Sequence, residues 1–144
     1  RGRVTGKHRL QLESEVPLGQ LTYKQIGEGL KQVLPCEFLS DLVVSCEPTV
    51  LVQYQREHFA SDDGAVRVTL DYDITCYDQT AKAHVSTSFP RRLDRLVVIE
   101  GKTPLGREFE LPALFHPFRA RAGRCSKYVQ ACRLLGLIQD PVLV

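Results

Sequence analysis

Methionine is missing from all 144 residues. A full-length translation product normally begins with one, whereas this chain opens directly on "RGRVTGKHRL", so the expectation is a fragment whose beginning is missing. Cysteine is sparse and odd in number. Cys36, Cys46, Cys76, Cys125 and Cys132 include no C-x-x-C pair, which argues against a disulfide framework or a zinc knuckle and for isolated thiols in a reducing compartment. No run reaches the roughly 18 apolar residues that a membrane span needs, and the amino terminus carries no signal-peptide pattern. The expected location is the cytoplasm, or the cytosolic face of a membrane complex. Aromatic residues make up only 8% of the chain and are not interleaved with basic ones. A nucleic-acid module that stacks bases on aromatic side chains is therefore not expected. An excess of one charge is lacking too: the net charge is only +2, so any affinity for a polyanion must come from local clustering. Internal repeats and low-complexity segments are absent.

What remains is an ordinary globular composition, 43% hydrophobic and 25% charged, in a length that suits one domain. The stretch "GKHRLQLES" alternates, with Lys7 and Arg9 on one face and His8, Leu10 and Leu12 on the other. It reads as a strand with one basic face. Thr22-Tyr23-Lys24-Gln25 fits a capping box, and Ile26, Leu30, Val33 and Leu34 follow at helical spacing until Pro35. A shorter helical turn is expected over residues 38–43. "TVLVQYQREHF" and "AVRVTLDYDITCY" then form a β-hairpin joined near Asp63-Gly64, with Val66, Val68 and Leu70 opposite Arg67, Thr69 and Asp71. Residues 78–93 lack either period and read as a long loop.

Residues 95–102, "RLVVIEGK", form a further strand, in which Glu100 and Lys102 share a face with Val98 and oppose Val97 and Ile99. The solvated face of a half-buried antiparallel strand accounts for such a pair by itself. "LPALFHPFRARAGR" starts a helix at Pro112 that Pro117 bends or ends. "SKYVQACRLLGL" is a helix capped by Ser126 and closed by Gly136 at its C′ position. The order of elements gives an α+β chain with an antiparallel sheet.

Lys7, Arg9, Arg56, Arg67, Glu100 and Lys102 all sit on otherwise apolar strands. Any one of them is accounted for as a surface charge or a satisfied ion pair. Four strands that each present a basic residue form a less ordinary pattern, and a barrel with a polar interior produces it, because inward and outward residues alternate on every strand.

The segments "GKHRLQL", "PTVLVQYQREHF", "DGAVRVTLDYDI", "LVVIEGK" and "CSKYVQACRLLG" occur in the order and at the spacing of a known family. On these motifs the sequence resembles the carboxy-terminal half of the VTC domain, the catalytic domain of the vacuolar transporter chaperone polyphosphate polymerase and its bacterial relatives. That domain falls within the CYTH-like triphosphate tunnel metalloenzymes. The resemblance spans nearly the whole chain and rests on the combination Y-x-R, V-R-[IV]-[ST]-[LF]-D, [LIV]-E-x-K and S-K-Y. It implies an antiparallel β-barrel that forms a tunnel with flanking helices, of which residues 1–144 supply a single partial domain, the second half of the barrel.

The resemblance also implies roles. Lys7 and Arg9 look like the basic pair of one tunnel strand, and Arg56 and Arg67 like the tunnel arginines of the hairpin. Glu100 resembles the carboxylate that helps to hold Mn²⁺ or Mg²⁺. Lys127 resembles the lysine near the tunnel mouth, and Lys102 fits the bacterial form of its motif. The implied partners are ATP and polyphosphate, with Arg56, Arg67 and Lys102 closest to the chemistry. Phosphoryl transfer needs charge neutralisation and positioning more than covalent participation by the protein, which suits clustered guanidinium and ammonium groups with a divalent metal. A triphosphate-hydrolysing tunnel enzyme, and a non-catalytic module for polyphosphate or inositol phosphates, remain as alternatives. The half-tunnel alone is expected to be inactive.

Other residues fit less well. His8, His58, His84 and His116 share no metal-ligand spacing. Asp71 and Asp73 share a face by simple alternation, and pairing with the tunnel arginines is the role favoured over metal binding. Arg119, Arg121 and Arg124 form a basic run ahead of Lys127.

Overall fold

The computed structural model describes residues 15–44, 47–118 and 123–139. Lys7 and Arg9, with the strand expected over residues 6–14, lie outside the described residues, as do Arg119 and Arg121. The chain falls into two compact units, one from Arg1–Thr49 and Gln79–Thr87, the other from Val50–Asp78 and Ser88–Val144.

In the first unit, helix α1 (Tyr23–Val33) begins with the capping box expected from the sequence. The Thr22 hydroxyl accepts from the Gln25 backbone N–H at 3.1 Å, and Gln25 Oε1 accepts from the Thr22 N–H at 2.9 Å. A 3-10 turn over Cys36–Phe38 leads into α2 (Leu39–Val44). The segment after residue 78, read as a loop, is held here by one buried side chain. Gln79 Oε1 accepts from Tyr23 Oη at 2.5 Å and from the Ser86 N–H at 2.9 Å, while its Nε2 donates to the Ser86 carbonyl at 2.7 Å. Both ends of the carboxamide are satisfied, which lets a polar group stay buried.

The second unit is a four-stranded antiparallel sheet with helices. β1 (Val50–Ala60) and β2 (Arg67–Asp78) form the long hairpin. Asp63 Oδ1 accepts from the Ala65 N–H at 3.0 Å, and Gly64 takes φ +67°, a conformation that costs glycine little, so the connection turns at the expected place. On its other side β2 pairs with β4 (Val98–Lys102) near one end and with the two-residue β3 (Arg91–Arg92) near the other. Among the described residues this sheet does not close on itself.

Three boundaries differ from expectation. The strand expected over residues 95–102 begins only at Val98, because the Leu96 N–H bonds back to the Leu93 carbonyl at 2.9 Å and makes a turn. The loop read over residues 78–93 contributes β3, too short for a period to reveal. Helix α3 (Glu110–Phe115) starts two residues before Pro112, which occupies its first turn, where a missing N–H costs nothing.

Helix α4 (Lys127–Leu134) matches the sequence reading at both ends. The Ser126 hydroxyl accepts from the Val129 N–H at 3.4 Å, and Gly136 takes φ +73°. Its N–H bonds to Arg133 O while that of Leu137 bonds to Cys132 O, the paired contacts of a Schellman end. The helix packs Ala131 on Ile74 and Cys76 of β2, with Val50, Val52, Leu93, Leu96, Val98, Leu134 and Leu135 around them. The other face of the sheet is covered at β4 by α3. A Cβ added at Gly101 would stand 2.6 Å from Phe115 Cε2 and 2.7 Å from Leu111 Cδ2, so the helix approaches closely only because this strand position has no side chain. Glu100 and Lys102, its neighbours in the strand, point away from α3.

Candidate functional site

Cross-strand partners share a face, so the register of β1, β2 and β4 defines what the face turned away from α3 displays. One row runs Ala60, Arg67, Lys102; the next His58, Thr69, Glu100; the third Arg56, Asp71, Val98. Arg56, Arg67, Glu100 and Lys102, singled out on three separate strands, therefore occupy one continuous surface. Along β1 the same face continues from Arg56 through Tyr54 to Val52 and Val50, where it turns apolar and meets α4.

A bulge marks the transition. Gln53 pairs with Thr75 and Gln55 with Tyr72, so Asp73 and Ile74 together oppose Tyr54. Asp73 takes φ +50°, and the extra residue breaks the alternation. Asp71 consequently shares its face with Ile74 and Cys76, all turned to α4, so the simple alternation expected from Asp71 onwards breaks at Asp73. Asp73 is exposed.

Asp71 is fully buried and carries two cations. Arg56 donates to it through Nε at 2.5 Å and Nη2 at 2.7 Å, a bidentate fork, and Lys127 Nζ from the first position of α4 closes on Oδ2. The guanidinium and the ammonium both stand over the Tyr54 ring, at 5.1 Å and 5.0 Å from its centroid. Arg56 and Lys127 retain 22% and 17% side-chain exposure. Each has donors left over after Asp71 is satisfied. The pairing favoured for Asp71 in the sequence is the one found. Neither Tyr54 nor Thr69 stands out in the sequence: Tyr54 is only the first letter of Y-x-R, and Thr69 the residue midway between Arg67 and Asp71.

The hydrogen bonds from Arg56, with help from Lys127, hold the Asp71 carboxyl down to about 2 despite its burial, and the same bond raises the Arg56 guanidinium. A depressed acid stabilises the fold above its unfolded-state value near 3.9 and loses that contribution as pH falls through about 2. Denaturant titrations are expected to lose on the order of 2 kcal/mol between pH 5 and pH 2 from this group. In Asp71→Asn that part of the slope should vanish. An unchanged slope would show that the triad is not what acid breaks.

The other end of the face is more open. Glu100 and Lys102 pair at 3.2 Å with 47% and 52% of their side chains exposed, an ion pair that contributes little to stability. The Arg67 side chain is exposed and has no hydrogen bond or ion pair among the described residues. Between them, Thr69 Oγ1 is buried without a hydrogen-bond partner among the described residues.

Among the described residues no group of three or more His, Cys, Asp or Glu could hold a metal by itself. Glu100 is the oxygen donor left for a hard divalent ion, and Mg²⁺ bound to phosphates commonly takes only one or two protein carboxylates, filling its shell with phosphate and water. The donor set fits a metal that arrives with its phosphates. It does not fit a preformed cage. Among the described residues no helix is long and apolar enough to cross a membrane.

The model of the VTC domain family matches residues 20–136. The chain belongs to this family. No curated protein and no solved structure matches it. Both units of the VTC domain lie partly within the matched residues, and so do Tyr54, Arg56, Arg67, Thr69, Asp71, Glu100, Lys102 and Lys127.

Proposed function

We propose that the charged face binds a phosphate chain, and that the protein containing this VTC domain is a metal-dependent polyphosphate polymerase that transfers the terminal phosphoryl group of ATP to a growing polyphosphate. The supporting observation is the gathering of four cations, Arg56, Arg67, Lys102 and Lys127, from four different elements onto one face, with the exposed carboxylate of Glu100 among them. Family membership supports a polyphosphate-related role.

In the transfer, a terminal oxygen of polyphosphate attacks the γ-phosphorus while the bond to the bridging oxygen of ADP breaks. Negative charge spreads over the equatorial oxygens. Arg67 and Lys102 meet it as mobile cations. Arg56 meets it with a guanidinium already oriented by Asp71, so little reorganisation is needed as charge develops. Lys127, at the start of α4, holds phosphates further along the chain, and Lys7 and Arg9 take the same role on the family pattern. Glu100 is the residue that would hold Mn²⁺ or Mg²⁺, and the metal, when bound, would offset charge on the phosphates. With ATP as donor, the proposed location is the cytoplasm or the cytosolic face of a membrane complex.

The test is incubation of the protein containing this domain with ATP and Mn²⁺, with products resolved on a polyphosphate gel beside a phosphate-release assay. A ladder of long polyphosphate is expected. Release of inorganic phosphate alone would assign a triphosphate hydrolase, and tripolyphosphate binding with no turnover would assign a non-catalytic module.

A further inference from the structure

Thr69 occupies the middle strand of the charged face, with His58 and Glu100 as its cross-strand partners and Arg67 and Asp71 two residues to either side. Its two acidic neighbours have counterparts: Asp71 takes Arg56 and Lys127, and Glu100 takes Lys102. The Thr69 hydroxyl has none among the described residues, although Oγ1 is shut off from solvent. A buried hydroxyl without a partner is unfavourable, and native folds keep such groups mainly where another requirement retains them.

Packing alone is not that requirement. Valine has the same shape, prefers strands as strongly, and would leave no polar atom unsatisfied. What valine lacks is a donor. Glu100, the cross-strand partner of Thr69, is held by a half-exposed and weak pair with Lys102, so the side chain beside the hydroxyl is free to shift when a ligand draws Lys102 towards itself.

We infer that Thr69 is a binding residue whose hydroxyl donates a hydrogen bond to a phosphate oxygen of the bound chain, between Arg67 and Glu100. The inference rests on the phosphate-binding reading of this face and adds a neutral contact to its cations. A hydroxyl fixed on a central strand offers one donor at one place, whereas Arg67 and Lys102 attract phosphate from a range of positions. Thr69 therefore sets the register of the phosphates along the sheet. The bond to an anionic oxygen belongs to the stronger, charge-assisted kind.

The experiment compares Thr69→Val, Thr69→Ser and Arg67→Ala in the protein containing this domain. Each is measured by calorimetric binding of tripolyphosphate without divalent metal and by thermal unfolding. Thr69→Val is expected to bind roughly 10-fold more weakly and to melt at the same temperature or higher, while Thr69→Ser keeps wild-type affinity. Wild-type affinity in Thr69→Val together with weakened binding in Arg67→Ala would overturn the role of Thr69 and leave the face intact. Unchanged affinity in both would overturn the phosphate-binding reading itself. If Thr69→Val and Thr69→Ser lose affinity and melting temperature together, the side chain acts by packing and the inference fails.

Discussion

Asp71→Ala is expected to destabilise the sheet unit by about 3 kcal/mol, more than any other single substitution on the charged face. Removing one member of a buried ion cluster leaves the others without compensation, at a cost of roughly 3–5 kcal/mol. The lower end applies because Arg56 and Lys127 keep 22% and 17% of their side chains exposed and can turn towards water. The loss reaches beyond electrostatics. Asp71 ties β1, β2 and the first turn of α4 together, next to the core of Ile74, Cys76 and Ala131, so its removal loosens the seat of the helix. Chemical denaturation of wild type and variant at pH 7 measures the difference. A change below about 1 kcal/mol would mean that the two cations find other partners and that Asp71 is not their anchor.

That result bears on function, because the triad is a compromise between holding and offering. A guanidinium gripped by a carboxylate has part of its charge cancelled, yet it points one way, and its outer N–H groups remain available. Asp71 neutralises one of the two cations it orients and leaves a surplus of positive charge over the Tyr54 ring. Arg67, with no partner among the described residues, is the opposite design: full charge and no fixed direction. The face thus grades from rigid and partly neutralised beside α4 to loose and strongly cationic beside the hairpin turn.

Much of this was legible in the amino-acid sequence wherever a local rule was at work. The capping box at Thr22, the turn at Gly64 and both ends of α4 at Ser126 and Gly136 were read correctly, because each depends on residues within a few positions of one another. Alternation placed Glu100, Lys102 and Val98 on one face, and the register agrees. The same rule failed across Asp73, where one extra residue in β2 moved Ile74 onto the face of Asp71. Nothing in "LDYDITCY" marks the bulge: aspartate is among the residues that tolerate a positive φ, but two aspartates alternate there and only one adopts it. Tertiary pairing was hidden as well. Lys127 reads as a cation at a helix start, and only the packing of α4 on β2 brings it to Asp71, 56 residues earlier in the chain. An unsatisfied atom such as Thr69 Oγ1 is a property of its surroundings, so no sequence pattern announces it.

Glu100→Gln is expected to separate binding from turnover. The carboxylate is 47% exposed and its one ion pair, with Lys102, is of the weak exposed kind, so the amide should fold normally and melt within a degree or two of wild type. Loss of the negative charge releases Lys102 and removes the acid from a cationic face, so tripolyphosphate binding without metal should hold or rise by a few-fold. Turnover should move the other way. On the proposed reading Glu100 is the protein ligand of the metal, glutamine is a poor ligand for a hard divalent ion, and loss of such a transition-state contact typically costs on the order of 10²–10³ in rate. The decisive comparison is polyphosphate formation from ATP and Mn²⁺ beside metal-free tripolyphosphate affinity in the same preparation. If polymer forms at the wild-type rate, Glu100 has no part in holding metal and the pair with Lys102 is only a solvated edge of the strand. If affinity without metal falls together with the rate, the acid contributes to the shape of the face, and its assignment as a metal ligand is lost by that route instead.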